Sequence, residues 1–210
     1  VDRESFVASR VRRHVDWTEI SNQLRFSKGK KREESIASKY DLHRVLMDKL
    51  WNRMLDLGRL PEVDEFEDYA DIQKNLGGIK RAGRLAAEIN GVDLFEESRR
   101  LRREDVLSYL AMTHFERRFR QKDMDARTKS DVKAFFNDFQ SALEESKHLL
   151  FASGDPDEID LAVQQLDFGY FDHAEQHFSF HCSLLNRLPS ILRVYVFCGV
   201  RLFGDLDEVD

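Results

Sequence analysis

The sequence predicts a mostly or wholly α-helical protein: a single multi-helix domain preceded by a basic N-terminal helix and linker. Three observations predict it. Only 3 prolines and 10 glycines punctuate 210 residues, too few for the turns of a many-stranded sheet. Apolar residues recur at three- and four-residue spacing over long stretches. A chain with 41% hydrophobic and 34% charged residues can bury a core, and 16 phenylalanines supply bulk for it.

The elements follow in order. Residues 1–32 read as a basic helix, Ser5 to His14, then an exposed linker, Ser27-Lys28-Gly29-Lys30-Lys31-Arg32, with Trp17 as an anchor between them. Residues 33–210 read as the helical domain. Its first helix spans Ser35 to Leu57, where Tyr40, Leu46, Leu50, Trp51 and Met54 keep helical spacing and Gly58 stands as C-cap. Pro61 opens a second helix reaching about Leu76, with acids in its first turn. Gly77-Gly78 breaks the chain before a helix from Ile79 to Ile89, and Asn90-Gly91 is a helix-to-helix turn. Leu94 to Arg118 is long, charged and amphipathic. Thr128 or Ser130 caps a helix running to Phe151, with Val132, Phe135, Phe136, Phe139 and Leu143 in its buried stripe. Pro156 to about Leu166, His173 to Phe180 and Pro189 to Leu202 complete the set of helices.

The net charge of -6 hides a polarised distribution. Residues 1–32 hold nine Lys/Arg against four Asp/Glu, residues 99–133 eleven against six, and residues 155–210 three against eleven. Such asymmetry speaks about partners. No segment suits a membrane span: the apolar run Ile191 to Phe203 has 13 residues and carries Arg193 and Arg201. Two cysteines, Cys182 and Cys198, suit reduced thiols and a cytoplasmic setting.

The chemistry-bearing motifs are few. A methyltransferase cofactor turn needs glycines directly after a strand so that backbone can approach the donor, and Leu76-Gly77-Gly78-Ile79 follows no strand-like run. An Asp/Asn-Pro-Pro-aromatic signature, a Pro-Cys pair, a P-loop and a nucleophile elbow are all missing. His173, His177 and His181, beside Cys182, would share a helix face and could grip a metal together. The plainer reading is a helix whose histidines cap or pair with Asp172 and Glu175. Arg10, Arg12, Arg13, Lys28, Lys30, Lys31 and Arg32 could hold DNA phosphates, as could Arg99, Arg100 and Arg103 with Arg102, and the Arg117, Arg118, Arg120 group. The plainer reading of the second and third groups is a solvated helix face paired with Glu96, Glu97, Glu104, Asp105 and Glu116. Arg193 reads as a structural arginine paired with a carboxylate such as Asp205 or Asp207, because an unpaired buried charge is too costly.

Several segments carry a resemblance. They are Phe6 to Arg13, Leu57-Gly58-Arg59-Leu60-Pro61 with Glu65, Asp105 to Phe115, Asp131 to Phe136, Leu149 to Asp155, and Leu188-Pro189 through Leu192-Arg193, Tyr195-Val196 and Gly204-Asp205 to Asp210. In this order they resemble the DNA phosphorothioation-associated methyltransferases of bacterial Dnd-type modification systems, over nearly the whole chain. The resemblance implies a larger parent protein, with an S-adenosylmethionine-dependent methyltransferase domain ahead of this region and a basic, β-rich segment after it. No cofactor is expected within this chain. The expectation is a non-catalytic helical domain that positions DNA or a partner subunit of the phosphorothioation and defence system. Two alternatives stand beside it: a protein-interaction module without nucleic-acid contact, and a metal-dependent enzyme using His173, His177 and His181.

Overall fold

A computed structural model describes residues 40–116, 120–172 and 177–203, and they form a mostly α-helical protein. The described residues fall into two compact units: 40–52 with 62–91, and 53–61 with those from 92 to 203. The division between residues 32 and 33, the basic N-terminal helix and the linker all lie outside the described residues, as does Trp17.

The first unit holds most of helix α1 (Arg44–Leu57), a single 3-10 turn at Val63–Glu65, helix α2 (Tyr69–Leu76) and helix α3 (Ile79–Asn90). Met47, Leu50 and Trp51 of α1 are buried, as are Phe66, Ile72, Leu76, Ala82 and Ala86. Burying these groups supplies the unit's driving force. The helix expected from Pro61 begins only at Tyr69. Phe66 is extended and buried ahead of it, so the apolar contact is made by a loop residue rather than by a first helical turn. Gly77 closes α2 in the left-handed region, at φ +74, where a side chain would add strain. α3 starts at Ile79, packs against α2, and buries its small residues Ala82, Gly83 and Ala86.

The second unit is built on helix α4 (Val92–Glu116), against which α5 (Ala126–Phe135), α6 (Phe139–Ala152) and α8 (Ser190–Phe203) pack. Its core joins Val106, Leu107 and Leu110 of α4 to Val132, Phe135, Phe136 and Ala142, closed by Met124. A smaller cluster holds Ala162 of helix α7 (Pro156–Gln164) with Leu188 and Leu192.

Two expectations are corrected in this unit. The helix expected from Thr128 or Ser130 to Phe151 is two helices. Asp125, not Thr128 or Ser130, caps the first, accepting from Thr128 N at 2.9 Å, and Asp138 caps the second, accepting from Ser141 N at 2.7 Å. The apolar stripe runs unbroken through Phe135, Phe136 and Phe139 in sequence, which conceals the break; the Asp138 carboxylate creates it. The helix expected over His173 to Phe180 is instead an antiparallel hairpin, β1 (Tyr170–Asp172) and β2 (His177–Ser179), with Phe171 opposite Phe178. Alternating aromatic residues at Phe178 and Phe180 favour strand over helix. Arg193 is paired with a carboxylate as expected, Asp105 of α4 at 2.7 Å; Asp205 and Asp207 lie outside the described residues.

Candidate nucleic-acid interface

The arginines of α4 are committed to intrachain partners. Arg100 donates to Glu97 at 2.7 and 3.0 Å and to Glu104 at 2.6 Å, and these bonds push its pKa further up. Arg103 bonds Glu145 of α6 and lies over the Phe136 ring at 4.7 Å. Arg102 faces Asp105 at 3.5 Å and Asp131 at 3.8 Å. Arg99 donates to the Ala134 carbonyl at 3.1 Å. Carboxylates therefore face Arg100, Arg102 and Arg103, whereas Arg99 is held by a carbonyl; all four serve as ties within the second unit. Arg120 likewise meets Asp123 at 3.2 Å. Arg117 and Arg118 lie outside the described residues, as do Arg10, Arg12, Arg13, Lys28, Lys30, Lys31 and Arg32.

A different set of cations, on α3, meets no carboxylate among the described residues. The buried stripe Ala82, Gly83, Ala86 turns one side of that helix inward. The opposite side presents Lys80, Arg81 and Arg84, all exposed. None of the three pairs with a carboxylate of the described residues. Arg84 makes only a long contact, 3.4 Å, to the Lys80 carbonyl one turn back. No acid stands in the first turn of α3. Its free N–H groups and dipole therefore add to the positive field.

The frame behind this face is fixed at both ends. At its start, Gly77-Gly78 turns the chain sharply out of α2. At its end, Asn90 Nδ2 donates to Tyr40 Oη at 3.0 Å and to the Ala86 carbonyl at 2.9 Å, while Tyr40 donates to Asp48 at 2.5 Å. Burial, reinforced by the bond to Asp48, pushes the Tyr40 phenol pKa up. Lys49 of α1 meets Asp68, just ahead of α2, at 2.7 Å. A short helix, a glycine turn and a second helix with basic residues on its N-terminal half have the element order of a helix-turn-helix DNA reader. Sequence reasoning identified this helix but passed over its charge. The legible signal was Lys80-Arg81-x-x-Arg84 after two glycines, with no acid before Glu88.

The histidine cluster loses its helical basis. His177 stands exposed on β2 opposite Asp172, and His181 caps the 3-10 turn Cys182–Arg187 by accepting from Ser183 N at 3.3 Å. Their four-residue spacing therefore does not place them on one helix face. His173 lies outside the described residues, and among those described no three His, Cys, Asp or Glu side chains group as a metal site. Both cysteines are free, and burial pushes the Cys198 thiol pKa up. Gly77-Gly78 joins two helices, and the strands form a small hairpin rather than leading into a glycine turn and helix.

No protein-family model, no curated protein and no solved structure matches the chain. No helix among the described residues is long and apolar enough to cross a membrane.

Proposed function

We propose that this chain is a non-catalytic helical module that positions DNA for a methyltransferase of a bacterial phosphorothioation and defence system, working in the cytoplasm. Lys80, Arg81 and Arg84 hold phosphates, together with the basic residues between Arg10 and Arg32. The observation that carries the reading is the cationic face of α3, which meets no carboxylate among the described residues, in contrast to Arg100, Arg102 and Arg103 of α4, which do. The setting rests on the resemblance of the segments that follow one another in sequence from Phe6 to Asp210. A net charge of -6 is no obstacle, because phosphates respond to the local field, which salt screens within about 10 Å. Methyl transfer, with S-adenosylmethionine as donor, belongs to a catalytic domain outside these residues.

Fluorescence anisotropy on a labelled duplex of about 20 base pairs tests it. Replacing Lys80, Arg81 and Arg84 together by alanine is expected to weaken binding about tenfold or more at low salt, while Arg100→Ala stays within about twofold. All three side chains are exposed, so the fold survives the change. Equal affinity of the triple variant and the unaltered protein would falsify the proposal.

A further inference from the structure

The second unit carries an apolar groove of about 430 Å³. Ile159 and Val163 of α7 line one wall, Phe178 and Phe180 another, and Leu192 and Tyr195 of α8 a third. The Phe178 and Phe180 rings stack at 5.8 Å between centroids. Phe178 is held there by Gly169: a Cβ on that glycine, at φ +87, would lie 2.3 Å from the ring. Tyr195 is 51% exposed, an aromatic side chain standing at the edge of an apolar hollow. Such amphipathic rings at a groove mouth anchor protein partners.

Two features identify the occupant. The first is shape. A second hollow of about 440 Å³ shares Asp160, Val163, Phe171 and Phe178 with the first and extends to Leu166 and Phe168. Two hollows in tandem suit an extended or helical segment with spaced apolar anchors better than a compact small molecule. The second is charge. No lysine or arginine lines either hollow, whereas Asp160 lines both. Asp155, Asp157 and Glu158 stand exposed at the start of the same helix. The two cations next in sequence to lining residues are both occupied: Arg187 lies over the Phe168 ring at 5.0 Å and faces Asp167 at 3.6 Å, and Arg193 is paired with Asp105 at 2.7 Å. A carboxylate-bordered apolar groove repels nucleic acid and attracts a cationic amphipathic segment.

We infer that this groove docks a basic amphipathic helix of a partner protein, whose apolar face covers Ile159, Val163, Phe178 and Leu192 and whose lysines or arginines meet Asp157 and Asp160. The inference is independent of the DNA-positioning role, since it uses other residues and the opposite charge.

The probe is a labelled helical peptide of about 18 residues with leucine on one face and lysine on the other, titrated against the whole chain. It is expected to bind about tenfold more tightly than a scrambled peptide of the same composition. Tyr195→Ser should weaken it about tenfold and Asp160→Lys about fivefold, with unchanged circular dichroism. For the unaltered protein, peptide binding should slow amide exchange along 156–164 and 190–196. The inference fails if the scrambled peptide binds as well, if neither substitution changes affinity, or if protection appears elsewhere. Displacement of the peptide by duplex DNA would also overturn it. So would a dimer of this chain that Tyr195→Ser dissociates, which would assign the groove to a second copy.

Discussion

Arg59 Nε donates to Asp131 Oδ1 at 2.6 Å across 72 positions of sequence, with side chains only 6% and 3% exposed. The pair ties the turn after α1 to helix α5. It also joins two of the segments that carry the family resemblance, Leu57 to Pro61 and Asp131 to Phe136. Arg193 and Asp105 join two more. These four charged residues are thus structural fasteners.

Breaking the buried pair from one side is expected to be severe. Arg59→Met leaves Asp131 with only the more distant Arg102, at 3.8 Å, and Asp131→Leu takes the carboxylate from the buried Arg59; each should cost up to about 3–5 kcal/mol in urea unfolding. The double change Arg59→Met with Asp131→Leu should cost clearly less than the two single changes added together. Additive costs would show that the two charges do not depend on each other.

The caps of α5 and α6 give stability a dependence on acid. Backbone and side-chain bonds from Thr128 hold the Asp125 carboxyl pKa below its ordinary value, and bonds from Ser141 do the same for Asp138. A lowered folded-state pKa contributes stability that is complete above the unfolded value of about 3.9 and lost as pH falls through the folded one. The urea midpoint should therefore drop between about pH 5 and pH 3. Asp125→Asn, which still caps but does not titrate at that position, should flatten part of the drop.

Asp125→Ala removes the cap itself. The expected cost is about 0.5–1 kcal/mol at neutral pH, at the low end because the carboxylate is screened by solvent. Unfolding of this variant alongside Asp125→Asn separates the capping bond from the charge.

The hairpin depends on one missing methyl group. Gly169→Ala would drive a Cβ into the Phe178 ring at a positive φ, costing about 1–3 kcal/mol. Faster amide exchange across the Phe171 and Phe178 pair, with α4 little changed, is the expected signature.

If α3 holds phosphates, each cation carries its own salt signature. The slope of log affinity against log salt should fall by about 0.9 for every one of Lys80, Arg81 and Arg84 replaced by alanine. Arg100→Ala and Arg103→Ala should leave the slope unchanged, since those guanidinium groups already face Glu97, Glu104 and Glu145.

The helical class and most helix positions could be determined from sequence alone, because apolar spacing, glycine breaks and the Pro156 start are local signals that do not depend on the rest of the chain. Ile79–Asn90, Val92–Glu116 and Ser190–Phe203 lie within two or three residues of expectation. Only the tertiary structure decided which charges are free. Arg103 is neutralised by Glu145, 42 positions away, and Arg193 by Asp105, 88 away, so a count of neighbouring charges could not separate these paired arginines from the unpaired Lys80, Arg81 and Arg84. The hairpin was hidden for a related reason. His177 to Ser179 becomes a strand by bonding to Tyr170–Asp172, and strand pairing is a relation between two segments, whereas a helix turn closes within one.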